Sequence, residues 1–437
     1  MALTVPHRVA NELTAAIAAA RQAARELQRR PVDEILGVLD RVVATWQRPD
    51  TPWRVWAERE LRAVTGFSAA MIRHGLPRLL APWRAAAIRA LLDAELGDRR
   101  RLDDVVDGCR VVGPSVVTHV LSGNLPGLAA PPILLSLAIK SACVVKPAAG
   151  EPAFADAFVA SLGDVDDGLR RCVVVAHWRG GDRRSEDVAF GASPVVVASG
   201  SDAAIAALAA GVSGRFIGHG HKISFAVVAR ECLGDPASAQ RLARRLAYDV
   251  SLWDQQGCLS PQLCYVESGA RISPHGFAEV LAEALAYWAT ALPPRTLDFE
   301  EKTALLRARQ TAEWQEGVSL WASPESTAWT VTVEPDAAFV PSCLNRFLRV
   351  KVADDVMQIG PLLSGHRRHL EAAGVAAGAD RRAALVTMLG ASGVHRVCAI
   401  GRMQHPPVSW RQSGRPRVAE WVEWIGVEED EGDEPAV

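Results

Sequence analysis

The chain has 437 residues, 49% of them hydrophobic and 22% charged, with a formal net charge of −2. That is enough chain for two hydrophobic cores, and the near-neutral charge removes the electrostatic case for nucleic acid or a membrane surface. Eight Cys occur with no paired or metal-like spacing, which points to a reduced, cytoplasmic protein without a metal. Residues 1–30 mix Arg and Glu into an Ala-rich helical pattern and lack the apolar core of a signal peptide, so no export is expected. Apolar spacing predicts helices over 6–27, 32–46, 53–65, 68–83 and 84–96. Residues 111–139 contain no Asp, Glu, Lys or Arg over a membrane-spanning length. Pro114, Gly123, Asn124, Pro126, Pro131 and Pro132 would break such a helix, so a buried strand, a polar turn and a helix starting near Pro131 are expected instead.

Short Val-rich strands over 116–121, 142–145, 172–176 and 195–198 alternate with Ala-rich helices. That alternation predicts a largely parallel sheet with helices on both faces. Near Gly214 the composition turns to Gly and His, and a strand over 223–228 opens a second alternating region. It continues with a helix over 236–252, strands over 263–267 and 346–352, a helix over 355–373 and a strand over 397–400. Residues 427–437 are mostly acidic and predict a disordered tail.

Four places in this order could carry chemistry. Gly123-Asn124 forms a polar turn after the first Val-rich strand, and Val144-Val145-Lys146-Pro147 ends the second one in a cation. The chain uses 43 Arg and five Lys, so a retained Lys suits a site that needs a compact ammonium; a strand-end Lys reaching solvent is the other reading. Ser199-Gly200-Ser201-Asp202 joins a strand to an Ala-rich helix, where free N–H groups can meet a phosphate or the Ser can simply cap the helix. Trp253-Asp-Gln-Gln-Gly-Cys-Leu-Ser-Pro-Gln262 sets Cys258 between a helix and a strand. There a thiol can be presented to a ligand, whereas a Cys inside either element is usually a small buried hydrophobe.

The order of these four segments resembles the aldehyde dehydrogenase superfamily and, within it, the LuxC-like acyl-CoA reductases of the luminescence fatty-acid reductase type. The resemblance runs from about Val111 to Trp424 and includes His177-Trp-Arg-Gly-Gly181, Gly220-His-Lys-Ile-Ser224, Leu344-Asn-Arg346 and Arg396-Val-Cys-Ala-Ile-Gly-Arg-Met-Gln404 with Trp410. It implies an α/β, aldehyde dehydrogenase-like fold: a helical region over 1–105, a Rossmann-type cofactor domain over 106–217 and a catalytic thiol domain over 218–400. A segment over 401–426 would return to the cofactor domain or an oligomer interface, ahead of the tail at 427–437. The active site would lie in the crevice between the two α/β domains.

The implied reaction is NADPH-dependent reduction of an acyl thioester, on coenzyme A or an acyl carrier protein, to the aldehyde through an acyl-cysteine intermediate. By resemblance Cys258 is the nucleophile, and the Asn124 amide with the Cys258 backbone N–H supplies donors to the carbonyl oxygen. Lys146 would contact the adenosine ribose or its 2′-phosphate, Gly200 and Ser201 would lie near the phosphates, and Arg179, with Arg183 and Arg184, would face a 2′-phosphate. A homo-oligomer and partner enzymes of an acyl-processing complex are further expectations. Two departures bear on function. Hydrolytic relatives begin a Glu-Leu-Gly-Gly-Lys motif with a base for water, where this chain has Gly218-His-Gly-His-Lys222, so transfer to a thiol is favoured over hydrolysis. The His-Asp-Gly common after the late Trp is replaced by Trp410-Arg-Gln-Ser-Gly414. Other readings of the same residues are a cysteine acyltransferase or thioesterase without nicotinamide, and a non-catalytic nucleotide-binding scaffold.

Overall fold

The Val-rich runs between residues 109 and 219 become six strands: β1 (Cys109–Val112), β2 (Val116–Val120), β3 (Ala142–Lys146), β4 (Val173–Val175), β5 (Val195–Ser199) and β6 (Arg215–His219). In the computed structural model, which describes residues 10–428, β2 to β6 pair in parallel in the order β4-β3-β2-β5-β6. β2 is buried at every position, as a parallel strand covered on both faces requires. The chain leaves β2 to one side for β3 and β4, then crosses to the other for β5 and β6. The carboxyl ends of β2 and β5 therefore flank a topological switch point, where open α/β sheets bind ligands. Register sets Val120 opposite both Lys146 and Ala198.

The five N-terminal helices form at Ala10–Leu27, Val32–Gln47, Pro52–Thr65, Ala69–Leu80 and Ala85–Leu96, close to their expected bounds. Residues 6–9 of the first expectation lie outside the described residues. Trp46 fixes the second helix by packing its ring 5.1 Å from Phe154 and 6.0 Å from Phe158, while its indole N–H donates to Ser161 Oγ at 2.8 Å. The helix expected near Pro131 runs over Ala130–Ala138, with proline in its first turn.

A second sheet is built from β7 (Ile223–Val228), β8 (Pro261–Glu267), β9 (Ser319–Ala322), β10 (Thr330–Glu334), β11 (Phe347–Ala353), β12 (Leu370–Ala376) and β13 (Arg396–Ala399). Its order is β13-β12-β7-β8-β11-β10-β9, parallel except for the edge strand β9. Helices Pro236–Ser251 and Pro274–Ala291 share a core with it through Leu246, Val250, Phe277 and Leu281. The helix expected over 355–373 does not form. Short turns at Val356–Gln358, Gly360–Leu363 and Ser364–His366 lead instead into β12. Gly360, Pro361 and Gly365 break the helical run, and Leu-Glu-Ala-Ala-Gly-Val-Ala, ambiguous by local propensity, is claimed by the interior of the sheet between β7 and β13.

β14 (Glu423–Gly426), unexpected from sequence, pairs antiparallel with β1, Cys109 opposite Gly426. The chain divides into two compact units, one of residues up to Ala57, Leu79–Gly220 and those from Arg415, the other of Glu58–Arg78 and His221–Gly414. Of the expected acidic tail, residues 429–437 lie outside the described residues. Among the described residues no helix is long and apolar enough to cross a membrane.

Candidate active site

Cys258 stands half-buried on a turn between the helix Pro236–Ser251, extended by a short turn over Leu252–Gln255, and β8. The turn is reached through three left-handed residues, Trp253 (φ 59°), Asp254 (φ 50°) and Gln255 (φ 62°). A second left-handed run, Leu344 (φ 63°), Asn345 (φ 56°) and Arg346 (φ 59°), leads into β11. Each non-glycine residue in this region costs roughly 1–2 kcal/mol, so something must hold them. Polar contacts between the two runs do so. Arg346 Nε donates to Asp254 Oδ1 at 2.6 Å, Gln256 Nε2 donates to Asn345 Oδ1 at 2.9 Å, and Gln255 Nε2 donates to the carbonyls of Pro261 at 2.8 Å and Phe347 at 3.1 Å. Asp254 Oδ2 also accepts the Arg295 amide at 2.8 Å. Trp253 lies against Gly75, where an added Cβ would come within 2.3 Å of its ring, so the close approach is open only to glycine.

Further contacts pin the thiol's own turn. Ser224 Oγ donates to the Cys258 carbonyl at 2.7 Å, and Gln404 Nε2 donates to Ser260 Oγ at 2.7 Å and to the Asp249 carbonyl at 3.2 Å. Asp249 in turn accepts the amides of Gly401 and Met403, which fastens the closing segment beneath the turn. Burial pushes the Cys258 thiol up to about 12, Glu371 adds to the rise, and its own amide, Lys222 and Arg396 oppose it. Cys143, Cys172 and Cys264 are buried, whereas Cys109, Cys232, Cys343 and Cys398 are half-buried like Cys258.

In the other unit, Asn124 follows β2 and is half-buried. Ser122 Oγ donates to its Oδ1 at 2.8 Å, which assigns the carbonyl end of the amide to Ser122 and turns the NH2 end the other way. Lys146 closes β3 with its Nζ 6.0 Å from the Trp178 ring centre, and burial lowers its pKa while Glu186 opposes the shift. Trp178 belongs to the His177-Trp-Arg-Gly-Gly segment, set by a 2.8 Å contact between His177 Nε2 and Asp156 Oδ2. Gly200 donates its amide to the His219 carbonyl at 3.1 Å, and Ser201 caps the helix Asp202–Ala209 by accepting the Ala204 amide at 3.2 Å. Arg179, Arg183 and Arg184 are exposed. Gly200, Lys146 and Asn124 therefore sit at or just past the carboxyl ends of three adjacent strands, the place an α/β sheet offers a dinucleotide. An ammonium, a strand-to-helix turn and exposed guanidiniums suit the anionic groups of a nicotinamide cofactor.

A family model described as acyl-CoA reductase (LuxC) matches residues 27–417. The chain belongs to this family. Its reaction class is accordingly the reduction of an acyl thioester to an aldehyde with a nicotinamide cofactor. Similar proteins include a long-chain acyl-protein thioester reductase 2 from Photobacterium leiognathi, 27% identical over 76% of this chain and 70% of that protein. A long-chain acyl-protein thioester reductase from Aliivibrio fischeri is 26% identical over 77% of this chain and 70% of that one. Among solved structures, an NAD-dependent aldehyde dehydrogenase from Burkholderia multivorans matches with a TM-score of 0.71 at 16% identity, covering 97% of this chain and 85% of that one. A proline utilization A mutant from Bradyrhizobium japonicum matches with a TM-score of 0.71 at 16% identity over 96% of this chain, which spans 45% of that protein's length. These likenesses show the aldehyde dehydrogenase fold.

For this acyl-CoA reductase family member the sequence reading missed three supports. Gln255, Gln256 and Asn345 were visible only as parts of motifs, and their side chains turn out to tie the two left-handed runs together. Glu186, forty residues beyond Lys146 in sequence, is its carboxylate neighbour. The nearer Glu151 turns away to accept the amides of Ala153 at 3.1 Å and Phe154 at 2.8 Å at the start of a helix, where burial lifts its pKa to about 8.

Proposed function

We propose that this chain reduces a long-chain acyl thioester, carried on coenzyme A or a carrier protein, to the aldehyde through an acyl-Cys258 intermediate, with NADPH as the reductant. The observation that carries the nucleophile assignment is the Cys258 turn itself, a half-buried thiol on a loop whose approach is fixed by two strained runs locked together. The relatives named as reductases of long-chain acyl-protein thioesters support the substrate class. Cys258 sulfur attacks the acyl carbonyl, the carrier leaves as its thiol, and one thioester is exchanged for another of similar energy. Negative charge grows on the carbonyl oxygen, and the Asn124 amide with the Cys258 backbone N–H are the proposed donors to it. A bound nicotinamide supplies the hydride that turns the acyl-enzyme into aldehyde. The experiment that tests the whole reading is NADPH consumption against a panel of acyl-CoA chain lengths, with the product trapped as a hydrazone. Cofactor turnover without hydrazone would overturn it.

Asn124→Ala is expected to lower turnover by roughly a hundredfold with little change in thioester affinity, as for a donor engaged mainly in the transition state. Steady-state kinetics on the trapped product separates the two terms. Unchanged turnover with a raised KM would leave Asn124 as a turn residue held by Ser122.

The NADPH preference rests on Lys146, because the exposed Arg179, Arg183 and Arg184 share their segment with Asp182, Glu186 and Asp187. An ammonium on a 2′-phosphate makes a charge-assisted contact of about 1.5–3 kcal/mol, more than it makes with a ribose hydroxyl. Lys146→Ala should therefore weaken NADPH more than NADH and narrow the preference by about tenfold. Fluorescence titration of both cofactors reads this directly, and equal losses would place Lys146 on the ribose alone.

A further inference from the structure

The turns that carry Asn124 and Lys146 press together at Gly123, at a place with no room for a side chain. β2 and β3 lie side by side with Val120 opposite Lys146, and just past that register the Leu121 amide donates to the Lys146 carbonyl at 3.0 Å. Beyond it the chain continues into the Ser122–Asn124 turn on one side and the Pro147–Glu151 turn on the other. A Cβ added at Gly123 would stand 2.7 Å from the Ala148 Cβ, with the Glu151 nitrogen and the Gly150 Cα each at 3.5 Å. Ordinary contact between such atoms begins near 3.4 Å, so the obstacle is the Ala148 methyl alone. Gly123 does not adopt a left-handed φ, and its need for glycine is this close approach.

The two turns are not equally fixed. Pro147–Glu151 is closed by the Glu151 amide on the Ala148 carbonyl at 3.2 Å. Its far end is anchored by the buried Glu151 carboxyl, which accepts the amides of Ala153 and Phe154 where the helix Ala153–Gly163 begins. The Ser122 hydroxyl that donates to Asn124 Oδ1 belongs to Asn124's own turn and moves with it. A clash at Gly123 is therefore passed to Asn124.

We propose, resting on the reading of Asn124 as a donor to the acyl carbonyl, that Gly123 is a positioning residue for acyl transfer: its bare Cα, seated against Ala148, sets where the Asn124 amide stands. The turn after Lys146 thus serves as the platform for the carbonyl donor. A donor stabilises developing charge only when it is held in place beforehand, and misplacing such a group by about 1 Å can cost about a hundredfold in rate.

Gly123→Ala should slow formation of the acyl adduct from palmitoyl-CoA, followed by intact mass without cofactor, by roughly 10- to 100-fold. The half-saturating thioester concentration, and NADPH affinity titrated by fluorescence, should stay within a few fold of wild type. Ala148→Gly removes the obstacle and leaves the added methyl at ordinary distances, so in that background Gly123→Ala should cost less than about threefold. Gly150→Ala makes the same chemical change in the neighbouring turn, where its nearest contact is the Gly123 oxygen at 3.4 Å, and should leave the rate within a few fold. Because Gly123 acts through Asn124, adding Gly123→Ala to Asn124→Ala should slow the reaction no further, a non-additivity that a general loss of structure would not give. A wild-type rate in Gly123→Ala, a loss that Ala148→Gly does not relieve, or an equal loss in Gly150→Ala would each overturn the proposal. So would a loss carried by NADPH affinity instead of rate, or full additivity with Asn124→Ala. A wild-type rate in Asn124→Ala would instead overturn the donor reading beneath it.

Discussion

Cys258→Ala is expected to abolish aldehyde formation, by at least about a thousandfold, while leaving folding and nicotinamide-cofactor binding intact. The side chain is small and half-buried, and its turn is held by the backbone and by Ser224, Gln255 and Gln404 rather than by the sulfur. Intact-protein mass spectrometry with acyl-CoA and no cofactor should show the acyl adduct on the wild type alone. An adduct that persists in the variant and maps to Cys264 or Cys232 removes Cys258 as nucleophile. Cys264 is a poor competitor, since it is buried within β8 and desolvation raises its pKa strongly.

Arg346→Met has the largest expected effect on stability. Asp254 and Arg346 are 1% and 0% exposed, so removing the guanidinium leaves a buried carboxylate without its ion-pair partner. Breaking such a pair costs about 3–5 kcal/mol. Arg346 Nη2 also donates to the Leu292 carbonyl at 2.6 Å, a bond lost with it. Adding Asp254→Asn to Arg346→Met removes the orphaned charge and keeps the acceptor for the Arg295 amide, so part of the stability returns. Urea unfolding of the two single variants and the double measures the coupling. An Arg346→Met protein with the wild-type midpoint would show that the two left-handed runs are held by something else.

Much of the fold was legible because its elements obey local rules. β7 and the helices at the N-terminus follow from apolar spacing, and proline at the start of Ala130–Ala138 marked that helix's first turn. β12 was not legible, since an Ala- and Gly-containing run takes strand geometry only because β7 and β13 flank it. β1 and β14 were missed for the same reason, each being defined by a partner more than 300 residues away. At the site, Cys258, Asn124 and Lys146 were picked out by the order of motifs. The Gly123–Ala148 contact carried no motif, and Glu186 acquires meaning only through a proximity that chain order does not encode.

The two left-handed runs are about ninety residues apart in the chain, yet neither has local partners enough to offset its own strain. In the finished fold, Trp253–Gln255 is held by contacts to Leu344–Arg346 and to the start of β11. The chain between them forms β9 and β10 and the helices Pro274–Ala291 and Phe299–Trp314. The geometry of the Cys258 turn thus depends on long-range closure, a class of event that is slow in folding. A partly folded chain carries Cys258 as an ordinary flexible thiol, and only the finished sheet turns it into a positioned one.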